Sequence, residues 1–198
     1  HHVPDEELPQ AVAILNPKIE GSTYPCPHLS GCGVGYKLMQ AFAISNGIQQ
    51  TELEGMLDLV AVSIAADIVP MVDENRIMAY YGLKRLNTNP NMGLRAIIRI
   101  CNLTNREITI SDVIFKIGPR INASGRMQSG REAVELLISK AIGDAYERAK
   151  AIDQYNRDRK ELDKRITEEA NAILSRRQES EADRKTIVIF NKDWHKGI

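Results

Sequence analysis

The sequence predicts an α/β fold that is mostly helical over these residues, on three observations. Ala11-Val12-Ala13-Ile14-Leu15 is a continuous apolar run of the kind that forms a strand buried on both faces in a parallel sheet, and Thr186-Ile187-Val188-Ile189-Phe190 reads as another strand. Between them, apolar residues recur three or four apart, the helical period. From Asp144 to about Gln178 there is neither proline nor glycine, so one helix of roughly 50 Å is predicted there.

The elements follow in order. The first strand ends at Asn16-Pro17, and a loop rich in Gly, Ser and Pro fills 21–35. Gly31, Gly33 and Gly35 form a glycine-rich turn ahead of a helix that begins near Val34, carries Leu38, Ala41 and Phe42 on one face and stops at Asn46-Gly47. A second helix runs from about Glu52 to Asp67 with Leu53, Leu57, Val60, Ala61 and Ile64 as its stripe. Asp73 is expected to cap a helix through Leu86, and Asn91 and Gly93 precede one through Ile100. Ser111-Asp112 caps a short piece that ends at Gly118-Pro119, a turn-rich loop follows to Arg126, and Glu132 to Lys140 is a packed helix. The long helix carries Ala149, Ile152, Tyr155, Leu162, Ile166 and Ile173 as one narrow stripe among dense opposite charges, the pattern of a solvated helix that bridges two bodies. After a turn over 179–184 the last strand has no partner, so a second domain is expected to continue beyond Ile198.

Composition bounds the function. At 198 residues and 43% hydrophobic, the chain supports one domain plus an appendage. Lysine and arginine equal aspartate and glutamate at 26 each, so there is no bulk positive field and any polyanion site is local. Cys26, Cys32 and Cys101 make an odd set without a CxxC pair, which points to reduced thiols in a cytoplasmic protein. No apolar stretch reaches the roughly 18 residues of a membrane span, and none of the chain reads as a signal peptide.

Three constellations carry chemistry. In GPRINASGR, Gly118 to Arg126, turn-forming residues hold Arg120 and Arg126 on either side of Asn122, Ala123, Ser124 and Gly125, and guanidinium offers bidentate donors to phosphate. Two solvated arginines on a surface loop are the plain alternative. The adjacent imidazoles of His1 and His2 are metal-ligand types, unless they are the remnant of a tag. Asp67 interrupts an apolar stretch, Ile64-Ala65-Ala66 before it and Ile68-Val69-Pro70 after, at a helix carboxyl end where the dipole disfavours an anion. A metal ion would compensate; a solvent-facing carboxylate is the alternative. The glycine-rich turn matches no phosphate-loop pattern, Cys26, His28 and Cys32 lack a fourth zinc ligand at a usual spacing, and Trp194-His195 after the last strand reads as a core tryptophan beside an edge histidine.

HHVPDEELPQAVAILNP, LSGCGVGYKL, DLVAVSIAADIVPM, GPRINASGRM and NKDWHKGI, in this order over essentially the whole chain, resemble the DHH phosphoesterase superfamily. The first segment is similar to the stretch after the aspartate of the Asp-His-His signature. GPRINASGR is the most discriminating, because smaller members that hydrolyse oligonucleotides or cyclic dinucleotides lack it. The resemblance implies a parallel-sheet catalytic domain whose C-terminal part is 1–140, a connector helix over 141–180 and the start of a DHH-associated α/β domain at 181–198. It implies His1, His2 and Asp67 as ligands of a Mn2+ or Mg2+ pair, His2 also contacting phosphate or water, Arg120 beside the scissile phosphate, and Asn122, Ser124, Arg126 and His195 on DNA. The implied activity is 5′-to-3′ hydrolysis of single-stranded DNA to mononucleotides in repair and recombination, by a cytoplasmic monomer with a helicase and a single-strand-binding protein as candidate partners and no membrane. A phosphodiesterase of short oligonucleotides or cyclic dinucleotides and a non-catalytic DNA-binding relative are the alternatives; Asp67 as a ligand speaks against the latter. The signature aspartate, the family's upstream aspartates and its Gly-Gly-His segment are not among these residues. The chain alone is therefore expected to bind metal poorly and to have little nuclease activity.

Overall fold

The computed structural model describes residues 2–5, 7–176 and 186–196, and every regular element among them is helical. The helices are α1 Gly31–Ser45, α2 Leu57–Ala66, α3 Asp73–Thr88, α4 Met92–Ile100, α5 Ile110–Asp112, α6 Gly118–Met127, α7 Gly130–Leu137 and α8 Ile142–Arg176. None is long and apolar enough to cross a membrane.

Helix α2 organises the rest because its apolar residues contribute to both hydrophobic clusters. Val60 and Ile64 pack with Tyr36 and Ala43 of α1 and Met78 and Ala79 of α3, while Val62 and Ala65 face Leu94 and Ile97 of α4, Leu136 of α7 and Ile152 of α8. Gly82 lets α3 lie directly on α2, since a Cβ there would stand 2.1 Å from the Leu57 carbonyl oxygen. The fully buried Asp58 carboxylate accepts the Leu59 N–H at 2.8 Å and the Asn91 N–H at 2.6 Å, with Arg85 Nε 4.0 Å away. These donors replace the water that burial removed, and they tie the start of α4 to α2.

Local capping explains most boundaries and corrects several expectations. Asn91 precedes α4 as expected and caps it, its Oδ1 accepting the Gly93 N–H at 2.8 Å, but Gly93 is already inside the helix. Ser30 caps α1 through the Gly33 N–H at 3.1 Å, so the helix starts at Gly31 and the three glycines are helical rather than a turn. Residues 50–56 form two short 3-10 turns before α2 instead of its first turns. Asp73 is the first residue of α3, at φ 46°, and gives no cap; Val72 precedes it without a side-chain bond. Thr109, not Ser111, caps α5, exchanging bonds with Asp112 in both directions.

The largest correction falls on GPRINASGR, which is a helix and not a loop. The helical path does not stop at Gly118-Pro119. It widens into a π turn over Val113–Ile117, closed by the Gly118 N–H on the Val113 carbonyl, and continues as α6. Proline lacks an N–H and crowds the carbonyl four residues before it, so the wide turn opens the backbone where Pro119 needs room. Pro119 then sits at the first turn of α6, where no N–H is required.

Neither expected strand forms. Residues 11–15 form no ladder, with Val12 fully exposed, and Ile14 and Leu15 instead help to line a cleft of about 350 Å³ with Val34 and Leu38 of α1. Residues 186–190 are also unpaired, with Val188 and Phe190 more than 80% exposed. A strand needs a hydrogen-bonding neighbour, and no other described segment lies in register beside either run. The packed helix after GPRINASGR spans Gly130–Leu137. The long helix is present from Ile142, but it is not solvated throughout: Ala145, Ala149 and Ile152 are buried against α4, α6 and α7. The turn over 179–184 lies outside the described residues.

Candidate functional site

Two helix ends meet where the sequence placed its chemistry. Asp67 is the C-cap of α2, exposed, with its N–H on the Ser63 carbonyl at 3.0 Å. Ile68 follows at φ 51° and turns the chain away. Asn75 of α3, fully buried, holds that turn by donating to the Pro70 carbonyl at 3.0 Å and the His28 carbonyl at 2.7 Å, which joins it to the segment entering α1. The N-terminus of α6 docks beside the same end of α2, where a Cβ on Gly118 would be 3.4 Å from Ala66 Cβ. The first residue of GPRINASGR thus lies in van der Waals range of α2, and the tightest approach to a Cβ there would be the Val113 carbonyl oxygen of the π turn, at 3.2 Å. On the α1 side, the Cys32 thiol is raised above its ordinary value by desolvation and then by the charges of Asp67 and Asp58.

Arg120 is anchored rather than loose. Its Nε donates to Asp153 Oδ1 of α8 at 2.8 Å and its Nη1 to the Lys116 carbonyl at 2.7 Å, while Arg157 pairs with the other Asp153 oxygen. With 19% of its side chain exposed, the guanidinium keeps donors on Nη1 and Nη2 beyond these bonds. Next to it, Asp112 is gripped by Arg106 and, at 3.0 Å, by Lys116. The Arg106 hydrogen bond outweighs desolvation and holds the Asp112 carboxyl far below the usual carboxylate range. Cys101 stands between the two clusters, its Sγ 3.7 Å from the Lys116 carbonyl, and burial pushes its thiol up.

The remaining expected residues divide. Asn122 and Arg126 are exposed on α6, but Ser124 is fully buried and donates to the Ile121 carbonyl at 2.8 Å, so it supports the helix from inside. This inward turn follows from the helical form of the motif. His2 is exposed, and its carbonyl accepts from Asn16 Nδ2 at 3.0 Å; His1 lies outside the described residues. His195 is exposed next to Trp194, which is not core: its Nε1 donates to Glu169 Oε2 at 2.8 Å. Glu169 stands about 24 Å along the axis of α8 from Asp153 at 1.5 Å per residue, so the fold brings Asp67 and GPRINASGR together but not His195. Sequence reasoning missed Asp153, whose signal was available: it follows Ala149 by four residues on the buried stripe, where an acid requires a partner.

Among the described residues no three His, Cys, Asp or Glu side chains converge as a metal site. The donors present suit a hard divalent cation in kind, since a carboxylate at a helix carboxyl end adds to the negative pole of the dipole. In number, His2 and Asp67 are too few to complete a site.

No family model matches the chain. Along its whole length the chain is similar to RecJ proteins. It is 37% identical to the single-stranded-DNA-specific exonuclease RecJ of Bacillus subtilis over 198 residues, all of this chain and 24% of that protein. It is 37% identical to RecJ of Haemophilus influenzae, again over the entire chain and 36% of the relative. Among solved structures, exonuclease RecJ bound to manganese superposes on all of the chain with a TM-score of 0.78 at 26% identity, using 48% of that structure. RecJ from Thermus thermophilus with Mg2+ covers 85% of the chain with a TM-score of 0.74 at 25% identity, and 26% of that structure is used. The chain spans about a quarter to a little over a third of the length of these curated relatives.

Proposed function

We propose that this RecJ-like chain forms part of the catalytic core of a metal-dependent nuclease that hydrolyses single-stranded DNA from the 5′ end to mononucleotides. The observation that carries the reading is the docking of the GPRINASGR helix, through Gly118, against the α2 end that bears Asp67. That contact sets a carboxylate and an arginine-bearing helix side by side in a chain with no bulk positive charge. Similarity to RecJ over the full length supports it independently.

In this reading Asp67, His1 and His2 would hold Mn2+ or Mg2+ together with further acids, and the ions would supply an activated water and charge stabilisation at the phosphate. The chain's own work is electrostatic and positional. Arg120 presents its remaining guanidinium donors to a phosphate oxygen from a fixed base, and Arg126 and Asn122 offer donors further along α6. Buried Ser124 stiffens that helix. His195 would meet DNA at a distance from the reacting phosphate, beside the outer part of α8. The same reading divides the chain into catalytic-domain residues 1–140, a connector over 141–180 and the start of a second domain at 181–198. It carries a cytoplasmic monomer acting with a helicase and a single-strand-binding protein.

In the full-length protein, Asp67→Ala is expected to lower Mn2+-dependent release of mononucleotides from 5′-phosphorylated single-stranded DNA by about 100-fold or more, with an unchanged circular dichroism spectrum. The isolated chain is expected to be inactive in the same assay. Full activity in the folded Asp67→Ala protein would overturn the reading.

A further inference from the structure

We propose that Asp153 is a positioning residue for Arg120, so that the long helix α8, and not only the GPRINASGR motif, builds the phosphate-facing arginine. The inference rests on the reading of Arg120 as a phosphate contact and adds what holds it in place. Arginine has four rotatable side-chain bonds, and an unanchored guanidinium would lose much of its effect to conformational freedom. Here two bonds from different elements remove that freedom. Asp153 takes the Nε–H from α8 at 2.8 Å, and the Lys116 carbonyl takes an Nη1–H from the π turn at 2.7 Å. The bond at Nε fixes the plane of the guanidinium and leaves its Nη2 edge unengaged.

Asp153 is built for this task. It is 8% exposed, between the buried Ile152 and Asn156, and a carboxylate there is stable only when paired. Its second oxygen is held by Arg157 one turn further along α8, so the acid cannot swing away from Arg120 without breaking that pair. Cys101 packs near the same group and its Sγ reaches the Lys116 carbonyl, which fixes the other anchor of Arg120. The consequence is that the angle of α8 on α6 sets the aim of the arginine.

The test is a double-mutant cycle in the full-length protein, reading kcat and KM on 5′-phosphorylated single-stranded DNA well below each variant's thermal midpoint. Asp153→Asn is expected to lower kcat by about 10- to 100-fold with little change in KM, because it misaims a group that acts in the transition state. In an Arg120→Ala background the same substitution is expected to change kcat less than about 2-fold. Asp153→Glu, which keeps the carboxylate, is expected to retain more activity than Asp153→Asn, and it carries the cycle if the asparagine variant does not fold. Additive losses in the double variant would make Asp153 a structural residue only and overturn the inference, while leaving Arg120 as the phosphate contact. Full activity in Arg120→Ala would overturn both.

Discussion

The two halves of α8 carry an apolar stripe at the same spacing and meet opposite fates. Up to Asn156 the helix buries Ala145, Ala149 and Ile152 at 1% exposure or less, and even its polar stripe residues Asp153 and Asn156 are inside. Beyond it, Leu162, Ile166 and Ile173 recur at the same spacing but stay half-exposed, among surface pairs such as Lys164 with Glu168 at 3.8 Å and Arg165 with Glu169 at 4.0 Å. An apolar stripe therefore marks the face that can be buried, and the partner elements decide whether it is. In the inner half, small residues let α4 and α6 approach closely; in the outer half, Trp194 donates to Glu169.

The contrast is sharpest in stability. Ile152→Ala removes side-chain volume from the largest hydrophobic cluster and is expected to cost about 2–5 kcal/mol in urea or thermal unfolding. A cost below about 1 kcal/mol would show that the inner half is no better packed than the outer.

A smaller effect concerns the tie between α7 and the inner half. Glu135 accepts from Arg131 at 2.8 Å and from Arg148 of α8 at 2.5 Å, and these bonds, Arg131's first, hold its carboxyl below the ordinary glutamate value. A depressed folded-state value stabilises the fold above the unfolded value of about 4.3, and that contribution is lost as pH falls through the depressed value. Thermal midpoints measured from pH 7 downward are expected to fall less steeply below about pH 4.3 for Glu135→Gln than for the parent. Identical acid slopes would break the assignment.

The smallest effect is expected at Ile166→Ala, below about 0.5 kcal/mol, because little apolar area leaves contact there. Hydrogen exchange sharpens the same comparison, with amides after Asn156 exchanging faster than those from Ala145 to Ile152. Equal protection along the helix would show that something covers the outer half.

Much of the fold was legible. Helical periods located α1 to α4 and α8, and Asn91 announced the start of α4, because caps and amphipathic stripes act within a few residues of one another. The main misreading was GPRINASGR, whose glycines, proline, asparagine and serine each favour turns when taken singly. Burial of Ala123 and Ser124 against the bundle overrides those preferences, and the π turn makes room for Pro119. The two apolar runs failed as strands for the opposite reason: their local preference is strong, but a ladder needs a neighbour.

By itself the sequence determined where helices run, which residues cap several of them, and that the chain is similar to RecJ along its whole length. Only the tertiary structure decided that Gly118 closes on Ala66, that Ser124 points inward and that Arg120 leans on Asp153. Those contacts join residues far apart in the chain, and no local spacing encodes them. They exist because the apolar residues of α2 must be covered, and covering them sets the helices that carry the charges at fixed positions against one another.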